Sequence, residues 1–436
     1  MALTESMFGL AADVEDDRLC RDIPESQCRE EPRNLVRVTL AHIGSKAGDA
    51  LADPKVVMPW LMGALGAPAF LTAMIVPIRE SLALLPQVLV GGVIRRFAKR
   101  KYFWVYAALL QGLAVIAMAG VAYAGLEGHA AGWVIIALVT LFSLARGVAS
   151  IAWKDTLGKT VDKGRRGRVG GYAASAAGVI ASGVGLYLAL SPEAARPDWL
   201  LLALLVAAGT SWIAGALIFL TVNEHDGATD GGRGIKDIAR DQIKLILGDS
   251  ELQRFILARA LMTATALSGP LYVALAQRSG GQALDNLGWL LLASGLAGAL
   301  SGSFWGMLAD RSSRATMAIG ALISGVLGLA VLALVTLAPG YASGVLPFAA
   351  ALFVLNIGHS GVRIGRKTQI VDIAGGDSKA EYVAVSNTVI GVLLVVIGAG
   401  VGAVSAFSLE AGLLLLAVMA LAGAAVAMHL ENAQAS

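Results

Sequence analysis

Four polar residues near the start of the chain are spaced so that they would share one face of a helix. His42, Lys46, Asp49 and Asp53 follow one another at intervals of four, three and four residues, which fit the helical repeat of about 3.6 residues. An imidazole, an ammonium group and two carboxylates on one face can bind a polar solute or take up and release protons. Residues 36 to 62 must therefore lie in water or line a polar cavity inside an apolar structure.

Other charged side chains, Arg259 among them, interrupt long apolar stretches of the chain. An ionised group at membrane depth costs from roughly 2.5 to more than 10 kcal/mol unless it is paired or hydrated. These groups are therefore expected to face one another or a common aqueous path. We predict a substrate and coupling cavity formed by His42, Lys46, Asp49, Asp53, Arg79, Glu80, Arg146, His359 and Arg363.

Two roles stay open for each kind of charge in this cavity. Lys46, Arg79 and Arg146 could bind an anionic or zwitterionic substrate, or could neutralise the neighbouring carboxylates in a structural network. Asp49 and Glu80 lie nearest the middle of their segments. A carboxylate there that is desolvated in one state and paired in another would change its proton affinity, as proton coupling requires. A permanent ion pair is the alternative for both acids.

The composition defines the class of protein. The chain has 436 residues, of which 56% are apolar and 15% charged, as in integral membrane proteins. Its apolar runs are about twenty residues long, enough for a helix to cross a hydrocarbon core of roughly 30 Å, and the alternation typical of barrel strands is absent. The fold class is therefore an all-α membrane protein. Ten runs are evident, at residues 102–124, 131–151, 169–190, 198–221, 254–276, 286–309, 315–337, 345–362, 382–406 and 410–430.

An internal repeat relates the two halves of the chain. Residues 306 to 311 match residues 91 to 96 at an offset of 215, and residues 352 to 358 match residues 141 to 147 at an offset of 211. Such self-similarity is typical of membrane proteins built from two related bundles.

The same offset completes the count of spans. Carried back from the second half, it places the first two spans at about residues 38–62 and 69–96, which makes twelve transmembrane helices in two pseudo-symmetric six-helix bundles. Asp53-Pro54-Lys55 then lies opposite Ser268-Gly269-Pro270. Both halves are therefore expected to carry a helix break at the same depth, which is tolerated where backbone lines a cavity.

Basic residues are concentrated in the loops on one side of this arrangement. This asymmetry predicts that these loops and both termini are cytoplasmic, and that the chain lies in the inner membrane of the cell. The loops opposite hold few charges. The basic positions are Arg95, Arg96, Lys99, Arg100, Lys101, Lys159, Lys163, Arg165, Arg166, Arg168, Arg311, Arg314, Arg366, Lys367 and Lys379.

The predicted divisions follow from this topology. They are an acidic cytoplasmic tail at 1–35, a first bundle at 36–221, a cytoplasmic linker at 222–252 that is helix-like from 235 to 247, a second bundle at 253–430 and a cytoplasmic tail at 431–436. The acidic tail lacks the basic start and apolar core of a signal peptide. Cys20 and Cys28 have no second pair and no nearby histidine, so we interpret them as free thiols.

The two six-helix halves, the middle linker and the run Gly306-Met307-Leu308-Ala309-Asp310-Arg311 resemble the major facilitator superfamily of secondary transporters. The match covers residues 36 to 430, although Arg95 stands where the first half should have the signature aspartate. The resemblance implies that spans 1, 2, 4, 5, 7, 8, 10 and 11 surround the cavity and that the protein is a monomer without a cofactor. It also implies a cytoplasmic gate, in which Arg95 would pair with Asp155 and Asp310 with Arg366; we expect the gate to comprise Arg95, Asp155, Asp310, Arg311 and Arg366.

The functional prediction is a permease that moves a small polar or charged solute by alternating access, coupled to protons or another ion. A facilitator or exporter of an apolar solute would not explain Lys46 or Arg79, and a sensor or scaffold would need a larger soluble domain than the tail and linker provide. His359 could relay protons or simply be hydrogen-bonded. The five histidines are scattered, with no metal-binding spacing, so no enzyme and no metal site is predicted. The partners are the solute, the ion and the lipid bilayer, with no nucleic acid.

Overall fold

The chain folds into helices throughout the part that the computed structural model describes, which comprises residues 28–191, 199–229, 235–374 and 379–431. A short 3-10 helix at Pro339–Ala342 accompanies the α-helices. In chain order these are α1 Glu31–Leu51, α2 Val57–Ala64, α3 Ala69–Leu84, α4 Pro86–Ile94, α5 Lys101–Tyr123, α6 Gly128–Thr160, α7 Lys163–Leu190, α8 Leu200–Leu220, α9 Ile235–Gly248, α10 Ser250–Met262, α11 Ala264–Gly280, α12 Leu284–Arg311, α13 Ser313–Leu337, α14 Leu346–Ile373, α15 Lys379–Phe407 and α16 Leu409–Met428.

Fewer helices meet the length and hydropathy criteria for a membrane span than the twelve that the sequence predicts. Within the described residues, nine helical stretches are long and apolar enough to cross a membrane, with α10 and α11 counted together. The bent helix α12 would be a tenth. The first two predicted spans correspond to the pairs α1 with α2 and α3 with α4, in which α2, α3 and α4 have only 8, 16 and 9 residues. The expected total of twelve is therefore not confirmed.

Both halves contain an interrupted helix, as expected, but at different depths. Between α1 and α2, Pro54 has no N–H for the helix, and the Asp53 carboxylate accepts a hydrogen bond of 2.7 Å from the Lys55 backbone N–H. The predicted break at this position is confirmed. The break expected at Pro270 is wrong, because Pro270 lies inside α11 and the interruption falls at Thr263. A proline deprives the carbonyl four residues earlier of its partner and crowds it, so the distortion lies in the turns that precede the ring.

Helices α7 and α12 join the two halves through small residues. A Cβ atom on Gly185 would lie 2.5 Å from the backbone N of Leu292, and one on Gly288 would press against the backbone of Ala189. The two backbones thus touch near the end of α7 that is distant from the basic loops. Further toward those loops, Gly302 has open space where its Cβ would be. The helices therefore diverge toward the side of the molecule with the basic loops, which we call the basic face.

A second junction between the halves lies between α3 and α15. The Ser81 hydroxyl donates a hydrogen bond of 2.5 Å to the carbonyl of Gly391, and Pro77 fills the space beside Gly398. On the face opposite the basic loops, the Gln277 side chain also donates to the carbonyl of Trp60 at 3.0 Å. The halves are therefore closed against each other on that face.

The segment after α8 is attached to the basic face of the first half by Glu224. Its carboxylate is buried and accepts hydrogen bonds from the backbone N–H groups of Arg100 and Lys101 at 3.0 and 2.8 Å. It also forms an ion pair of 2.9 Å with Lys159. The helix expected in the linker that follows is confirmed as α9.

Replacing Glu224 with alanine should lower the stability of the protein, because Lys159 and two backbone donors would lose a buried acceptor. Removing one member of a buried ion pair costs about 3–5 kcal/mol. The change can be measured as a lower temperature of thermal unfolding in detergent. Glu127→Ala, at an exposed carboxylate, is the control and should leave that temperature unchanged. Equal unfolding temperatures for both variants would contradict the anchoring role of Glu224.

The cysteines differ from expectation. Cys28 takes part in a disulfide bond, so the interpretation as a free thiol is wrong at this position. Cys20 and the rest of residues 1–27 lie outside the described part of the chain.

Candidate functional site

A cavity of about 340 Å³ lies between the two halves, where they diverge toward the basic face. Both halves contribute to its wall, the first through α1, the α1–α2 break, α3 and α6, and the second through α10, α11, α13, α14 and α15. The wall is highly charged, with seven cationic side chains and three carboxylates. These are Lys46, Lys55, Arg79, Arg146, Arg259, Arg363 and Arg366, with Asp49, Asp53 and Glu80.

Asp49 lies at the centre of the ion pairs in the first half. One carboxylate oxygen is 2.5 Å from the Arg146 guanidinium and 3.8 Å from the Lys46 ammonium, and the other is 3.3 Å from Arg79. Three cations from three helices thus surround one carboxylate whose side chain is only 14% exposed. In the described conformation Asp49 has the contacts of a structural counterion.

Glu80 and Asp53 are held less tightly. Glu80 has one ion pair, of 2.5 Å with Arg79, and its side chain is 37% exposed to the cavity. Asp53 accepts a hydrogen bond from the Lys55 backbone at the helix break. These two carboxylates can therefore exchange protons with water in the cavity more readily than Asp49 can.

The second half contributes hydrogen-bonded polar groups and three arginines. The Arg259 guanidinium donates to the Ser386 hydroxyl at 2.7 Å and to the Asn387 side-chain oxygen at 2.9 Å. The Nδ1 atom of His359 lies 2.9 Å from the Thr265 hydroxyl. This contact satisfies one ring nitrogen of His359 and fixes the ring at the cavity wall.

The structure brings together all the residues predicted for the cavity except His42. That ring stacks on the Trp153 ring, with centroids 4.1 Å apart, and does not line the cavity. His42 precedes Lys46 by one helical turn toward the basic face, where the aromatic side chain of α6 covers it.

The residues predicted for the gate are arranged differently from the hypothesis. Asp155 forms its ion pair with Arg100, at 2.9 Å, and the Arg95 side chain is exposed. Asp310 and Arg311 are also exposed, and Arg366 lines the cavity instead. Among the described residues, neither proposed gate pair is formed in this conformation.

The residues predicted for the cavity did not include Lys55, Arg259 or Arg366, which line it, although Arg259 was among the charges expected to face a common aqueous path. Lys55 follows the proline of the helix break, and a charge beside a break is easily taken as part of a loop. Arg259 interrupts an apolar run, which was a usable signal. The apolar run at 345–362 ends before Arg366, so the sequence places this arginine in the following basic loop. Helix α14 continues to Ile373, and Arg366 therefore belongs to the helix that lines the cavity.

Comparisons with solved structures identify the fold. The chain superimposes over 91% of its length on the peptide transporter POT in complex with sulfate (TM-score 0.65, 14% identity, 94% of that chain). It also matches the nucleoside transporter NupG (TM-score 0.65, 11% identity, 98% of that chain) and the inward-open xylose transporter XylE from E. coli (TM-score 0.62, 13% identity, 96% of that chain). No family model and no curated protein sequence matches the chain.

The chain therefore has an all-α membrane fold that resembles the fold of these transporters, in agreement with the resemblance to the major facilitator superfamily seen in its sequence. It is a multi-pass membrane protein, and the matched structures reported above are all named as transporters. At these identities the likeness concerns the fold alone, and what this chain carries must be argued from its own cavity.

Proposed function

We propose that this protein is a secondary transporter that moves a small polar or charged solute across the membrane by alternating access. The observation that carries the proposal is the charged cavity, which lies where two halves are closed on one face and separated on the other. Buried charges of this density are costly in a membrane unless a hydrated path or a solute contacts them. An apolar or lipid-like solute, the second candidate, would leave most of them without a partner.

The topology proposed for this transporter has twelve spans, with α1–α2 and α3–α4 as the first two. Broken helices are tolerated at membrane depth when they line a cavity, and both of these pairs contribute to its wall. The bundles would comprise residues 36–221 and 253–430. The excess of Lys and Arg in the loops of the basic face supports a cytoplasmic position for that face and for both termini. The cavity is then open to the cytoplasm.

Proton coupling through Glu80 is part of the proposal. Its carboxylate faces the cavity, has a single cationic partner and can be protonated without breaking the network around Asp49. A proton bound at Glu80 would release Arg79 from one of its two carboxylates, and the solute bound in the cavity could compensate the change. Asp49 serves as the structural acid in this scheme.

Glu80→Gln should abolish accumulation of solute driven by a pH gradient while it preserves exchange of solute across the membrane. Glutamine retains the shape and a hydrogen bond to Arg79 but cannot carry a proton. The experiment is a solute screen in proteoliposomes with an imposed pH gradient, followed by uptake and counterflow with the solute that is found. Glu127→Gln, outside the cavity, is the matched control.

Two outcomes would contradict parts of this proposal. Gradient-driven accumulation that persists in Glu80→Gln would exclude Glu80 as the coupling residue. A wild-type protein that moves none of the polar or charged solutes in the screen, but moves an apolar one, would favour the second candidate function.

A further inference from the structure

The charges of the cavity do not balance, and most of the imbalance comes from the second half. The first half places four cations and three carboxylates in the wall, and the second half places three arginines and no carboxylate. The cavity therefore carries an excess of four positive charges with His359 neutral. In a space enclosed by apolar helices, such an excess attracts anions strongly.

The carboxylates of the first half are already bound to cations or backbone of the same half. Asp49 forms ion pairs with Arg146, Arg79 and Lys46. Glu80 forms an ion pair with Arg79, and the Asp53 carboxylate accepts a hydrogen bond from the Lys55 backbone N–H. None of these contacts reaches the arginines of the second half. Three of the four excess charges are therefore located on the wall that the second half forms.

Arg259 is the most informative of these arginines. Its residue is only 8% exposed, and its hydrogen bonds go to two neutral groups, the side chains of Ser386 and Asn387. Its Nε atom is buried without an acceptor. A buried guanidinium held only by neutral groups lacks the counterion that such burial ordinarily requires.

Arg363 and Arg366 extend this wall along α14. They are three residues apart on one helix, so both can point into the cavity that they line. Among the described residues, neither forms an ion pair with a carboxylate within 4.0 Å. Guanidinium groups form paired, planar hydrogen bonds to carboxylate and phosphate oxygens, and Lys55 faces the same space from the first half.

We propose that the solute of this transporter is a small organic or inorganic anion with at least two negative charges, carried on carboxylate or phosphate groups and bound by Arg363, Arg366 and Lys55 beside Arg259. This inference rests on the proposed function and names its substrate class. The cavity volume of about 340 Å³ lies at the lower end of small-molecule pockets, which measure about 300–1,000 Å³. The site therefore suits a metabolite-sized anion rather than a peptide or a lipid.

The binding experiment uses the purified full-length protein in detergent, with citrate and inorganic phosphate as probes. Chloride at equal ionic strength and uncharged mannitol are the reference solutes. Binding is measured by isothermal titration calorimetry and by the rise in unfolding temperature. The wild type should bind at least one multivalent probe and respond less to chloride and mannitol.

Three variants test the site. Arg363→Gln and Arg366→Gln should each raise the Kd for the bound anion by about tenfold or more, since each removes charge-assisted hydrogen bonds. Arg254→Gln, at an exposed arginine on the same helix as Arg259, should leave the Kd within about twofold. Because Arg363 is exposed toward the cavity, its variant is expected to fold, and the unchanged unfolding temperature without ligand checks this.

The inference is overturned if chloride or mannitol stabilises the protein as well as the multivalent anions, or if Arg254→Gln weakens binding as much as the cavity variants do. Its failure is distinguishable from that of the proposed function. Anion binding without counterflow in proteoliposomes would contradict transport alone. Transport of a neutral or cationic solute that Arg363→Gln leaves intact would contradict the anionic substrate alone.

Discussion

Replacing Asp49 with asparagine is expected to destabilise the first half of the protein and to abolish transport at every pH. The substitution leaves Arg146, Arg79 and Lys46 without their shared counterion. Breaking a buried ion pair from one side costs about 3–5 kcal/mol, which is a large fraction of the stability of most domains. The measurements are the thermal unfolding temperature in detergent and counterflow in proteoliposomes.

A second variant separates the loss of the carboxylate from the loss of charge balance. In the double variant Asp49→Asn with Arg146→Gln, one uncompensated cation is removed together with the acid, so part of the lost stability should return. Asp226→Asn, at an exposed aspartate, is the control and should resemble the wild type. A stable Asp49→Asn protein that still performs counterflow but fails to use a pH gradient would reverse the roles of Asp49 and Glu80.

The cavity was predictable from the sequence to the extent that membrane burial makes charges conspicuous. Arg146 interrupts an apolar run, whereas Lys46, Asp49, Arg79 and Glu80 lie in the two segments that the repeat offset identifies as spans, and the cost of burying these charges requires that they meet. Composition also sufficed for the all-α membrane fold, because twenty-residue apolar runs permit few alternatives.

Other features depend on local geometry that spacing does not encode. The break near Pro270 was placed at the ring itself, whereas the helix is interrupted at Thr263. Arg95 aligns with Asp310 by the repeat offset, yet α4 ends at Ile94 and the chain then turns, which brings Arg100 to Asp155 instead. The sequence of either half also does not indicate which face of the molecule is open. That property depends on how far the packed surfaces of the two halves have separated.

Substitutions at two glycines on one face of α12 are expected to change how far the two halves separate on each face. Gly288 and Gly302 are separated by two heptads, so they lie on the same side of the helix, toward α7. A side chain on Gly288 would collide with the backbone of α7, whereas one on Gly302 would enter open space. Gly288→Val should therefore destabilise the closed junction on the face opposite the basic loops. Gly302→Val should leave that junction intact and obstruct closure of the basic face.

Both variants are expected to lose transport, but with opposite accessibility of the cavity. Overpacking costs about 1–3 kcal/mol, which corresponds to a change of about five- to 150-fold in the balance between open and closed forms. The readout is labelling by a membrane-impermeant maleimide of Ala266→Cys, at the cavity wall, with Cys20 and Cys28 replaced by serine. Labelling from the basic face should slow in Gly288→Val and persist in Gly302→Val, while labelling from the opposite face should rise only in Gly288→Val. If the two variants changed labelling in the same direction, the two halves would not move about the junction between α7 and α12. Such a result would contradict alternating access at this junction.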